Sequence, residues 1–180
     1  MTIPDELWVF GYGSLIWNPG IDVAEQRLAA LADFRRGFCM RSIHHRGSQE
    51  DPGLVLALEP HDGSSCTGLA LRAAEPETAL RALRERELIS SAYFEQHVTL
   101  LGEDGEAVTA LAYVIDRTHD QYCPELTLEE QAQIIARATG GRGPNHEYLT
   151  RTAAGLAALG IRDDDMGWLV TRVQQIMDAA

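Results

Sequence analysis

At 180 residues, with 45% hydrophobic and 23% charged side chains, the chain has the make-up of one globular domain over residues 1–180, which excludes a disordered or fibrous protein. A formal net charge of −12 repels phosphate backbones and anionic lipid, so nucleic acid and membranes are poor partners and a small-molecule substrate fits better. Arg35, Arg36, Arg41 and Arg46 gather in one stretch, so charge alone does not fix the sign of a substrate. Cys39, Cys66 and Cys123 are far apart, odd in number and without a C-x-x-C pair, and read as buried reduced thiols. Residues 1–7 hold neither a basic nor an apolar leader region, and no apolar run reaches bilayer length, so the cytoplasm is the expected location. No protein partner is indicated.

Residues 7–12 read as a buried strand that runs into Gly11-Tyr12-Gly13-Ser14, where the chain must turn. Residues 54–58 and 66–71 read as strands joined by a turn at Glu59-Pro60-His61-Asp62-Gly63. Residues 97–101 and 107–115 repeat that form around Gly102-Glu103-Asp104-Gly105. Between these hairpins, 76–88 has helical composition and opens on Glu75-Pro76-Glu77, where proline and acids suit a helix N-terminus. A second helix is expected from Thr127, which can form a capping box with Glu130, to about Ala138. A third runs from near Asn145 to Leu159, stopped by Gly160, and a fourth follows Asp163-Asp164-Asp165. The connection 139–144 has the most flexible-looking composition. Strands with one inserted helix, then a helical C-terminal third, make an α+β fold.

On the 76–88 helix, Leu80, Leu83 and Glu87 share one stripe, while Glu85 and Arg86 point outward. A carboxylate on an apolar stripe costs several kcal/mol if it is ionised and alone. Three readings stay open: Glu87 pairs with Arg84 or another arginine, it is solvated because the helix ends early, or it belongs to a site. In the last case burial raises its pKa, by about 3–5 units at the extreme, and makes it a candidate general acid/base. The glycine turn at Gly11-Tyr12-Gly13-Ser14-Leu15 can present successive backbone N–H groups to a carboxylate or an oxyanion, or it can be a mere corner. It lacks the Gly-Lys-Ser/Thr of a P-loop and the third glycine of a dinucleotide fingerprint. His44 and His45, adjacent and so on opposite faces of a strand, do not suggest a metal site, and no G-x-S-x-G elbow points to a serine triad.

The string Trp8-Val9-Phe10-Gly11-Tyr12-Gly13-Ser14-Leu15-Ile16-Trp17 resembles the N-terminal signature of the ChaC-like branch of the γ-glutamylcyclotransferases. Gly37-Phe38, Arg41-Ser42, His45-Arg46-Gly47 and Pro52-Gly53 are similar to that branch's next block. Arg86-Glu87 followed by Tyr93 is similar to its R-E…Y segment, and Gly141-Arg142-Gly143-Pro144-Asn145-His146-Glu147-Tyr148-Leu149 to its last. The blocks keep their order from about 7 to 150. Departures are Leu88-Ile89-Ser90-Ser91-Ala92, where relatives often have glycine before the tyrosine, and residues 116–124.

The resemblance implies a γ-glutamylcyclotransferase-like fold, a small mixed β-barrel with flanking helices, and lyase activity on glutathione with no cofactor and no metal. It makes Glu87 the catalytic residue and Gly11, Tyr12, Gly13, Ser14, Leu15 and Ile16 the substrate-binding loop, with Tyr12, Tyr93 and Tyr148 as further hydrogen-bonding groups. Cyclisation by the substrate's own α-amine needs no enzyme nucleophile, which suits the missing triad. Two alternatives remain: the same reaction on other γ-glutamyl peptides or γ-glutamylamines, and a non-catalytic ligand-binding member of the fold.

Overall fold

A computed structural model describes residues 4–89 and 91–180; the expectations that touch residues 1–3 and Ser90 lie outside the described residues. In chain order the elements are β1 (Trp8–Gly11), α1 (Ser14–Trp17), β2 (Val23–Ser42), β3 (Gly53–Ala73), α2 (Pro76–Glu87), β4 (Tyr93–Gly102), β5 (Ala107–Ile115), α3 (Leu128–Arg137), β6 (Thr139–Gly140), β7 (Gly143–Pro144), α4 (Asn145–Ala158) and α5 (Asp164–Ala179). They form two compact units, Met1–Arg36 with Leu58–His119, and Gly37–Ala57 with Asp120–Ala180. β2 and β3 contribute residues to both. The expected α+β architecture with a small mixed barrel is present.

The barrel closes in the order β1-β3-β2-β4-β5. β1 runs antiparallel to β3 and parallel to β5, with Val9 opposite Leu111, so the sheet is mixed. The expected hairpin around Gly102 is found: β4 and β5 pair from Tyr93↔Ile115 to Leu101↔Ala107, and β4 begins four residues earlier than its composition suggests. Val9, Phe10, Leu71, Leu100 and Tyr113 fill the interior of this unit.

The other expected hairpin is corrected. β3 is one strand of 21 residues, and Glu59-Pro60-His61-Asp62-Gly63 lies inside it. Gly63 (φ 83°) and Asp33 of β2 (φ 63°) both take the left-handed backbone, and the Gly63 N–H donates to Asp33 Oδ1 (2.9 Å). The turn-like composition therefore serves a kink in a paired strand rather than a reversal. β2 has no counterpart among the expected elements: its alanine, glutamate, glutamine and arginine favour a helix, and cross-strand pairing overrides that preference.

In the second unit α3, α4 and α5 pack on one another through Ile135, Leu149, Leu156, Leu169 and Val173. Their ends follow the sequence. Thr127 and Glu130 form both halves of the capping box, Asp163 Oδ1 accepts from Met166 N–H (3.0 Å), and Gly160 follows the last turn of α4. The connection 139–144, flexible by composition, is instead pinned: β6 pairs with β7, Gly141 N–H donates to His44 O (2.7 Å) and Arg142 N–H to His45 O (2.9 Å). Cys39, Cys66 and Cys123 are buried, and burial pushes the Cys123 thiol up to about 11. Among the described residues no helix is long and apolar enough to cross a membrane.

Asn145, fully buried at the start of α4, accepts from Leu54 N–H through Oδ1 and donates to Leu54 O through Nδ2, both at 2.8 Å. Its amide thus satisfies one residue of β3 as a neighbouring strand would. A side chain at Gly53 would collide with Arg46 O and crowd Asn145 Oδ1, so glycine is required where these segments meet. Replacing Asn145 by leucine leaves both polar groups of Leu54 without their partner, at about 1–3 kcal/mol each. The expected result is a clearly lower urea midpoint for Asn145→Leu in equilibrium unfolding, and an unchanged midpoint contradicts this assignment.

Candidate active site

The glycine turn leaves the barrel at the end of β1, where Gly11 registers with Leu69 of β3. Two contacts hold it. Arg36 donates from Nη1 to Tyr12 O (2.7 Å) and from Nη2 to Thr67 O, tying the turn to β3. α1 then starts at Ser14 behind Gly13, with Ile16 N–H donating to Gly13 O (3.0 Å) and Asn18 N–H to Ser14 O (2.7 Å). Leu15 is buried, whereas Ser14 and Ile16 are half-buried.

Glu87 is the last residue of α2, on the same side as the buried Ala79, Leu80 and Leu83, as the stripe requires. Its side chain is 15% exposed, and Oε1 lies 3.3 Å from Arg86 Nε. Pairing with an arginine, one of the open readings, is therefore found, and the partner is the adjacent residue. Arg84 pairs with Glu95 of β4.

Arg86 does not point outward. Its side chain is 16% exposed, Nη2 donates to Ser14 Oγ (2.8 Å) and Nη1 to Asn18 O (2.5 Å). The reason is its length: a long stem on the rim of a helix can lie along the surface and return its charged head to polar groups nearby. Through this guanidinium the glycine turn and Glu87, distant in sequence, meet in one place.

Beside them lies a network that no sequence signal indicated. Arg84 grips Glu95 of β4 with two hydrogen bonds, Nε to Oε1 (2.7 Å) and Nη2 to Oε2 (3.1 Å), and Tyr113 of β5 donates its hydroxyl to Glu95 Oε1 (3.2 Å). The Arg84 guanidinium, with smaller help from Tyr113, holds the Glu95 carboxyl below the usual glutamate range. Burial pushes the Tyr113 hydroxyl far up, and the charges of Glu95 and Glu87 push it further, so Tyr113 stays a neutral phenol near Glu87. Arg84 and Glu95 belong to different elements with no shared period, and Tyr113 is one of six successive buried residues in β5, so neither stands out in the sequence.

Tyr12 is buried and directs its hydroxyl to Tyr113 O (3.3 Å), in the same neighbourhood. Tyr93 opens β4 opposite Ile115 and is half-buried. Tyr148 belongs to the second unit, on α4, where its hydroxyl accepts from Leu56 N–H (3.1 Å) and Arg46 lies over its ring at 5.8 Å. The arginine stretch is divided between the units: in the first, Arg35 pairs with buried Glu59 and Arg36 holds the glycine turn; in the second, Arg46 donates to Pro144 O (3.2 Å) and the Arg41 carbonyl accepts from Gln121 Nε2 (2.8 Å).

Comparison with known proteins gives a consistent result. The family profile described as ChaC-like protein matches residues 7–176. The glutathione-specific γ-glutamylcyclotransferase of Escherichia coli (strain K12) is 35% identical over 178 residues, which cover 97% of this chain and 76% of the relative. The glutathione-specific γ-glutamylcyclotransferase 1 of Homo sapiens is 35% identical over 156 residues, 83% of this chain and 69% of the relative. Among solved structures, a γ-glutamyl cyclotransferase specific to glutathione from yeast superposes with a TM-score of 0.85 at 21% identity, over 96% of this chain and 97% of that one, a likeness of fold.

The Arg84–Glu95 pair has a consequence for acid stability. A carboxylate whose folded-state pKa lies below the ordinary 4.5 stabilises the fold above that value and loses the contribution as pH falls through the lowered one. Glu95→Gln should therefore flatten the dependence of the thermal midpoint on pH below 4.5, relative to the parent protein. Melting curves recorded from pH 7 downwards check this; parallel profiles for the two proteins contradict it.

Proposed function

This chain belongs to the ChaC-like protein family, and on that premise we propose that it cleaves glutathione to 5-oxoproline and Cys-Gly, with Glu87 carrying the proton. The observation that supports Glu87 most is its situation: a carboxylate 15% exposed at the end of α2, joined through Arg86 to the turn after β1. A carboxylate withdrawn from bulk water beside a guanidinium is suited to exchange protons with a bound substrate.

The α-nitrogen of the γ-glutamyl group attacks its own γ-carbonyl carbon, a five-membered lactam forms, and the bond to the cysteinyl nitrogen breaks. No atom is lost or gained, so the step is a lyase reaction and consumes no water. Held in geometry, such intramolecular attacks reach effective molarities of about 10⁵–10⁸ M, so positioning is most of the task. A free α-amine has a pKa of about 8 and is mostly protonated at neutral pH, so a base must free its lone pair. Glu87 accepts that proton and returns it to the departing cysteinyl nitrogen, and the second proton, shed by the attacking nitrogen as the lactam closes, passes by the same carboxylate to the released amine, a contribution of about 10²–10⁴-fold.

Of the loop Gly11, Tyr12, Gly13, Ser14, Leu15 and Ile16, the backbone holds the substrate's α-carboxylate or the developing oxyanion. Ile16 N–H already donates to Gly13 O, so this role belongs to the amides before it. Tyr93 and Tyr148 are assigned to substrate contacts on the strength of the family blocks that contain them. The same blocks support residues 1–180 as one functional domain, since the family match runs from 7 to 176. A cytoplasmic location suits a reduced thiol substrate and the buried thiols of this chain.

Glu87→Gln should keep the fold and lower 5-oxoproline release from glutathione by at least about 10²-fold, measured by mass spectrometry of the products. A mutant with a near-parental rate removes Glu87 from the mechanism. Turnover of γ-Glu-Ala or γ-glutamyl-ε-lysine at the rate of glutathione instead broadens the substrate class. In ¹⁸O-water the 5-oxoproline formed should carry no label, whereas a hydrolytic route through free glutamate incorporates it.

A further inference from the structure

We propose that Arg86 is a positioning residue for this reaction, one guanidinium that fixes the Glu87 carboxylate and the turn after β1 to each other; the proposal rests on Glu87 being the proton carrier. All three of its nitrogens are engaged, and each on a different group: Nε with Glu87 Oε1 (3.3 Å), Nη2 with Ser14 Oγ (2.8 Å) and Nη1 with Asn18 O (2.5 Å). The chain makes room for it. Gly20 holds φ 66°, and a Cβ there would stand 3.2 Å from Nη1.

The chemistry explains why one rigid fork is placed there. The α-carboxylate and α-amine of the substrate sit on the same carbon, so the groups that hold the carboxylate and the group that takes the amine's proton must keep a fixed mutual distance. A misplacement of about 1 Å can cost 10²-fold in rate. A planar guanidinium has donors enough for the base and the turn together, whereas an ammonium is a single point charge on a flexible stem.

The same contact bears on charge, since a cation beside a carboxylate favours the ionised form that can accept a proton. Other charged and titratable groups of this neighbourhood bond to one another, and the Glu87 charge also acts on Tyr113. Arg84 of α2 holds Glu95 of β4, Tyr113 of β5 donates to Glu95, and Tyr12 donates to Tyr113 O. Arg86 is in contact with Glu87 itself. Were it only a basic residue favouring the C-terminal end of α2, its loss would lower stability and leave the pH dependence of the rate in place.

The test is the pH profile of glutathione turnover for Arg86→Gln, Arg86→Lys and Glu87→Gln, with circular dichroism as the check on folding. Arg86→Gln should lower kcat by about 10- to 100-fold, raise KM, and move the acid limb of kcat/KM upward. Arg86→Lys should return the acid limb to its parental position while KM stays raised, because one ammonium cannot also hold Ser14 and Asn18. If Arg86→Gln does not fold, Arg86→Lys alone decides: a parental KM overturns the proposal. A folded Arg86→Gln with parental kcat and acid limb overturns it, as does an equal shift of the limb in both arginine variants. Glu87→Gln separates the two levels. Lost activity there with an unaltered Arg86→Gln profile condemns only the role of Arg86, whereas a near-parental Glu87→Gln rate removes the reading of Glu87 and this proposal with it.

Discussion

A carboxylate can be drawn out of water at the end of a helix only in the company of a cation or of donors. At Glu87 that company is the guanidinium next to it in the chain. Successive residues of a helix point about 100° apart, so the two backbones do not direct their side chains to one place. The stem of Arg86 closes the gap, and its remaining nitrogens extend the contact to Ser14 and Asn18. The end of α2 and the turn after β1 are thereby held as one surface. The barrel holds both ends of it, since the turn issues from β1 and the segment after α2 leads into β4.

The chemistry assigned to this surface asks little of the protein in reactive groups. The nucleophile comes with the substrate, so a base, an anion holder and a fixed distance between them suffice. Much of the remaining polar material near Glu87 is internal support. Arg84, Glu95 and Tyr113 satisfy one another, which spares a buried phenol and a half-buried carboxylate from being left unpaired beside the base.

The second unit shows that family blocks need not be catalytic to be distinctive. Gly53 stands where no side chain fits, Asn145 replaces a strand neighbour for Leu54, and Tyr148 accepts from Leu56 N–H while Arg46 covers its ring. These residues answer to close packing and to the need of buried backbone groups for partners.

By itself the sequence determined what depends on neighbours a few positions away. Capping at Thr127 and Asp163, the proline start of α2, the stop at Gly160, the hairpin around Gly102 and the stripe that carries Glu87 are local matters of backbone geometry, and each was legible. The ordered blocks also revealed the family. Tertiary structure alone decided what depends on residues far apart in the chain. It turned the Glu59 to Gly63 composition into a kink inside β3, made a strand of the helix-favouring β2, pinned residues 139–144 to His44 and His45, and brought Arg86 back to Ser14. The physical reason is the same in each case: a hydrogen bond or ion pair between distant segments outweighs a local preference of a few tenths of a kcal/mol to about 1 kcal/mol per residue, and no local pattern encodes its partner.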